Sequence, residues 1–271
     1  MEIEIEPRFL EEAVRCALVG RPDARAFHRE RERVYEIPDR DARAAAFDAL
    51  SLAWGARLDL VRPVRCALAA EPLIETGVDL CTVGRPPTPN DVGAELIVRA
   101  ASSDAGSPRR VVRLLVRPEW LLDEATLTPL LRRELRHVAD MLDPAFGYEP
   151  HLAIDGVARG MERLVRDRYR AAWNTSVDGR LVHAGLLDAA ARAQRWDEFT
   201  AAFGTLDAAA STAFAALFAD PAPTHARLLA LATAPRTVVV GPDAGPVLCP
   251  LCGCPSARGL CDGSLLGEAV Q

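Results

Sequence analysis

The segment "LRRELRHVADML", Leu131 to Leu142, places three chemically capable residues close together: Arg133, Glu134 and His137. On an α-helix, residues three and four apart share a face, so His137 lies beside both Glu134 and Arg133. A neutral imidazole offers a lone pair to a metal ion, and a neighbouring carboxylate takes a proton from a metal-bound water. A guanidinium does neither, because it keeps its proton in proteins and has no lone pair. Two readings follow. The stripe is a metal-water site with one position held by a cation, or it is a solvated charged face. On the second reading Arg136 and Asp140 form a surface pair one turn apart and His137 has no ligand role.

A second group of reactive side chains closes the chain. "CPLCGCPSARGLC" places Cys249, Cys252, Cys254 and Cys261 at spacing C-x2-C-x-C-x6-C. Its first part matches a zinc knuckle, C-P-x-C-G, in which Pro sets the turn and Gly lets backbone N–H groups face the thiolates. The expectation is a structural zinc ion held by all four sulfurs. A rival pattern exists: "CGC…CDGS" resembles the motif of small [2Fe–2S] proteins, with Cys252, Cys254 and Cys261 as thiolates. Leu265 stands where that motif has its histidine, and the gap from Cys254 to Cys261 is short. Idle reduced thiols are the third possibility.

These groups need elements to position them. The N-terminal part reads helical: "PRFLEEAVRCAL" and "DRDARAAAFDALSLAWGARLDL" carry apolar residues at helical spacing. From Leu80 the character changes. "DLCTVGR", "AELIVRAA" and "RRVVRLLVRPEWL" are β-rich and separated by the turn-forming "PPTPND" and "SSDAGSP". They predict strands of one small sheet. A helix follows from Thr128, with Pro129 at its first position and an apolar stripe of Leu131, Leu135, Val138 and Leu142. The next helix is predicted over Val157–Trp173, with "WNTSVDGRLVHAG" as a loop or short turn. Alanine-rich helices then run from Leu186 to Leu231. Helices, strands, then helices predict an α+β fold, mostly helical with a small sheet. The expected organisation is an N-terminal helical region over 1–75, a core over 76–234 and a cysteine-rich tail over 235–271.

A strand ending in Arg-Pro, followed by a helix bearing x-E-x-x-H, resembles the zincin metallopeptidases. "RRELRHVADMLDPAFGYEP" with "RYRAAWNTSVDGRL" looks like a block from zincin-like bacterial proteins. The resemblance covers less than a third of the chain. It implies a zincin-like core, Glu134 as general base and His137 as a zinc ligand. The first ligand position falls on Arg133, so the usual pair of imidazoles is absent. Further ligands would come from Glu162, Asp178, His183 or Asp140, and Tyr148 would steady an oxyanion. The implied protein is a zinc-dependent peptidase or a pseudoenzyme, with Arg133 pairing Glu134 or clamping a carboxylate where zinc would sit. The alternative is an adaptor whose cysteine cluster is its working part.

Composition narrows the classes. The 271 residues are 49% hydrophobic with a net charge of −6, enough for a sizeable core and unlike a general polyanion binder. All 32 basic residues are Arg, which leaves no lysine for Schiff-base chemistry. No Walker loop, G-x-S-x-G or G-x-G-x-x-G appears, and no basic-aromatic patch for nucleic acid. The acidic start is no signal peptide and no run is long enough for a membrane span, so a cytoplasmic protein is expected; a peptide or protein partner is what the zincin resemblance implies. Cys16, Cys66 and Cys81, among apolar neighbours, are expected in the core.

Overall fold

The computed structural model describes residues 1–99, 108–152, 160–204, 208–234, 247–248 and 255–256. Its sheet has four strands: β1 (Glu2–Ile5), β2 (Leu80–Gly84), β3 (Gly93–Arg99) and β4 (Arg109–Leu115), in the order β1-β2-β4-β3. β1 and β4 flank β2 in parallel, and β3 joins β4 antiparallel. Register sorts the two faces. Ile3, Cys81, Val112 and Leu96 lie side by side and join the core, while Glu4, Thr82, Arg113 and Glu95 line the opposite face. β1 departs from the expected all-helical N-terminus. Its Glu-Ile alternation has the period of a half-buried strand, with isoleucines turned inward.

Between β1 and β2 run α1 (Pro7–Leu18), α2 (Ala24–Tyr35), α3 (Arg40–Arg57), α4 (Arg62–Ala69) and α5 (Pro72–Gly77). They share one apolar core with the sheet and with α6 (Glu124–Leu142). α6 begins four residues before the expected Thr128. Asp123 is its cap, accepting the Thr126 N–H at 3.2 Å, and Pro129 sits within the helix. The expected apolar stripe is there. Leu131, Leu135 and Val138 are buried, each contributing about 1.5–3 kcal/mol by leaving water; Leu142 is only partly buried against the core, and Leu127, not among the expected four, is buried with them.

α7 (Glu162–His183) runs ten residues past its expected end at Trp173. Within "NTSVDG" the Thr175 and Ser176 hydroxyls bond back to the Ala171 and Trp173 carbonyls, at 2.7 and 2.9 Å, so these buried side chains are satisfied inside the helix. α8 (Ala191–Phe203), α9 (Ala208–Ala219) and α10 (His225–Thr233) follow and pack with α7 around a second apolar cluster. Two short strands, β5 (Val247–Leu248) and β6 (Pro255–Ser256), pair with each other. Of the three cysteines expected in the core, Cys81 is buried, Cys16 is half-buried and Cys66 is exposed.

Candidate functional site

Arg133, His137 and Asp140 on α6 lie in its seam with α7, Glu134 reaches to β3 and Arg136 towards the start of α5. Arg133 Nε donates to Asp178 Oδ1 at 2.7 Å, and Asp140 accepts from Trp173 Nε1 at 2.7 Å, so the helices run antiparallel. Asp178 is only 1% exposed and has a second cation: Arg195 Nε on α8 lies 3.2 Å from Oδ2, close enough for an ion pair though not aligned as a hydrogen bond. Arg195 also pairs with Glu198, which accepts from Asn174 Nδ2 at 2.9 Å. Asn174 and Asp178 are one turn apart on α7, facing His137 and Arg133 one turn apart on α6. Asp140 holds both terminal nitrogens of Arg180, at 2.7 and 2.6 Å, a bidentate charge-assisted pair. Buried Glu71, the residue that precedes α5, meets Arg136 at 3.0 Å. Arg136 therefore does not pair with Asp140, and Arg133 does not pair with Glu134.

Glu134 turns towards the sheet. Its Oε2 accepts the Ala94 N–H of β3 at 3.1 Å. Gly93 beside it has φ +155°, and a Cβ there would stand 3.0 Å from Oε2, so the missing side chain admits the carboxylate. Burial raises the Glu134 pKa, while the Ala94 bond and Arg133 lower it. His137 packs edge-on against Trp173, ring centroids 4.7 Å apart. Burial pushes its pKa down to about 4; Arg180 and Arg195 act with burial, while Asp140 and Asn174 oppose it.

The remaining candidates are dispersed. Glu162 is exposed in the first turn of α7, and at a helical rise of 1.5 Å per residue it lies about 24 Å from Asp178 and about 32 Å from His183. His183 Nδ1 is held by the Gly179 carbonyl at 2.6 Å, with its ring on Phe218. Tyr148 packs with Trp173 and His225, at ring distances of 5.7 and 5.9 Å, and burial raises its pKa. Among the described residues no three His, Cys, Asp or Glu side chains are placed to hold a metal ion. The α6–α7 seam does not suit zinc: at the first-ligand position a guanidinium is already bonded to the nearest carboxylate. Cys249, Cys252, Cys254 and Cys261 lie outside the described residues.

Arg195, Arg180, Trp173 and Asn174 were not among the residues expected to matter. Had "WNTSVDGRLVH" been read as helix, the i, i+4 pair Asn174–Asp178 would have shown a polar stripe. His225, in the first turn of α10, is 4% exposed and bonds the Tyr169 hydroxyl through Nδ1 at 2.8 Å.

His137 makes the seam sensitive to acid. A solvated imidazole titrates near 6.5 and the folded one near 4, so between these values the unfolded chain binds more protons. Its contribution to stability is therefore lost as pH falls through that window. Glu71 and Glu134, both raised above 4.5, act with the opposite sign, since there the folded chain holds the extra proton. His137→Gln removes the first contribution alone. The urea midpoint of the variant should fall less steeply than the parent's between pH 6.5 and 4. Superimposable slopes would mean that His137 is solvated in the folded chain.

Fold and seam together define a mostly helical α+β protein with a small mixed sheet, whose two apolar clusters are joined through a buried network of ion pairs. Among the described residues no helix is long and apolar enough to cross a membrane. The chain matches no family model, and no curated protein or solved structure proved similar to it.

Proposed function

We propose that this chain is a zincin-like scaffold without hydrolase activity, in which the Arg133 guanidinium takes the place of a metal ion and the braced α6–α7 unit serves peptide or protein binding. The observation carrying this reading is the 2.7 Å bond between Arg133 and Asp178. In the resemblance to zincins, Arg133 holds the first ligand position and Asp178 is a candidate for a later one. Here those two positions satisfy each other directly. A tethered cation neutralises the buried carboxylate, which otherwise would have to be protonated or paired. The would-be base, Glu134, is bonded to a backbone N–H of β3, and the would-be ligand, His137, is a neutral ring packed on an indole. Nothing in this set activates a water molecule.

Arg133→His tests the reading, because it restores a lone pair one turn before His137 and leaves Asp178 Oδ1, with only Arg195 still paired to Oδ2, open to a metal ion. Elemental analysis of the full-length variant should find one zinc equivalent more than the parent carries, whatever the cysteine tail contributes to both. The parent should cleave no peptide from a fluorogenic library. Equal zinc in parent and variant, or metal-dependent cleavage by the parent, would refute the proposal.

A further inference from the structure

α1 and α2 flank a groove of about 770 Å³ on the N-terminal part of the fold, lined by neither α6 nor α7. Leu18 and Phe27, each 2% exposed, close its floor, half-buried Cys16 and Ala24 give it accessible apolar surface, and at one end Val19 stands 81% exposed. It follows α1 from Arg8 to Leu18, about 15 Å at the helical rise or a little under three turns, and continues to Gly20. The charges along it are unevenly satisfied. Glu11 is paired with Arg31 at 3.3 Å and Glu12 with Arg85 at 2.8 Å. Arg8 and Arg15, two turns apart on one stripe of α1, have no ion-pair partner among the described residues, and exposed His28 faces them across the groove. Residues 8–33 hold seven arginines and five acidic residues, a local positive excess in a chain of net charge −6.

We infer that this groove docks an acidic amphipathic helix of a protein partner. An elongated groove with an apolar base and a charged rim suits the apolar stripe of a helix, with side chains at i, i+3, i+4 and i+7 entering it. The two unpaired guanidiniums then meet carboxylates spaced two turns apart on the incoming helix, and Arg is well suited to such bidentate contacts. A polyanion fits less well. A nucleic acid backbone or an anionic membrane would press a continuous negative field against Glu11 and Glu12 as well, in a molecule that is acidic as a whole. This surface is independent of the Arg133 proposal and stands or falls separately.

The test uses the full chain and a fluorescein-labelled 15-residue amphipathic helix with leucines on one face and glutamates on the other. Fluorescence anisotropy should show saturable binding that weakens with added salt. Arg8→Glu with Arg15→Glu should raise Kd at least tenfold, and Val19→Asp should also raise it. All three positions are exposed, and circular dichroism of the variants should match the parent. Arg109→Glu, an exposed position on β4, should leave Kd unchanged. No binding, equal binding of a peptide with lysine in place of glutamate, or an unchanged Kd in the double variant would overturn the inference. So would binding to phosphatidylserine vesicles in preference to the peptide.

Discussion

Asp178→Ala is expected to lower the unfolding free energy by about 3–5 kcal/mol, the cost of leaving buried cations without their counter-ion. The carboxylate is 1% exposed, and the two arginines that reach it are 26% and 12% exposed, so water can only partly replace what it supplies. Arg195 keeps Glu198, whereas Arg133 is left with no acceptor that the folded chain presents to it. Asp178→Asn should cost less, since the amide oxygen still accepts one guanidinium bond. Adding Arg133→Ala to Asp178→Ala should recover part of the loss, because the unpaired charge is then gone. Urea unfolding at pH 7 of the three variants and the parent measures all of this. A cost below about 1 kcal/mol for Asp178→Ala would place the pair among weak surface bridges and remove the basis for treating Arg133 as a substitute cation.

The neighbouring substitution, Gly179→Ala, is expected to be as damaging for a different reason. A Cβ at Gly179 would stand 2.0 Å from the Phe218 carbonyl oxygen and 2.7 Å from its carbon. Both are backbone atoms of α9 and have no rotamer to retreat into. The helices must move apart by more than an ångström, which opens the packing of Phe214, Leu217 and Phe218 around α7. Overpacking of a core costs about 1–3 kcal/mol and sometimes more, and a backbone clash belongs at the upper end or beyond. Gly55→Ala is the control. The atoms nearest its Cβ would be those of the Leu10 side chain, at 2.8 Å and beyond, which can turn aside, so the loss should be smaller. Hydrogen exchange should report faster opening of α9 in Gly179→Ala. An unchanged unfolding midpoint would mean that α7 and α9 do not approach so closely.

Much of the α+β architecture was legible in the residues. "DLCTVGR", "AELIVRAA" and "RRVVRLLVRPEWL" carry the composition of strands with turn residues between them; β2 and β4 lie within them, and β3 starts one residue earlier, at Gly93. The apolar stripe of α6 was equally clear, because a period of 3.6 over three turns is a strong signal. β1 was missed: "EIEI" spans only four residues, and what makes it a strand is its pairing with β2 more than seventy residues away. The end of α7 was misplaced for a related reason. Asn, Thr, Ser and Gly favour turns when judged locally, yet here two hydroxyls bond back into the helix and α9 packs against the glycine.

The candidate site divides in the same way. Residue order alone established that Arg133, Glu134 and His137 occupy neighbouring positions on one helix, and that a guanidinium rules out the usual pair of imidazoles. It could not assign partners. Arg133 has Glu134 next to it in sequence but bonds Asp178, 45 residues away; Glu134 goes instead to β3, and Arg136 to Glu71 just before α5. Side-chain chemistry is a property of each residue and is present in the sequence. Which opposite charges share a low-dielectric interior depends on how whole helices pack, and only the tertiary structure decides that.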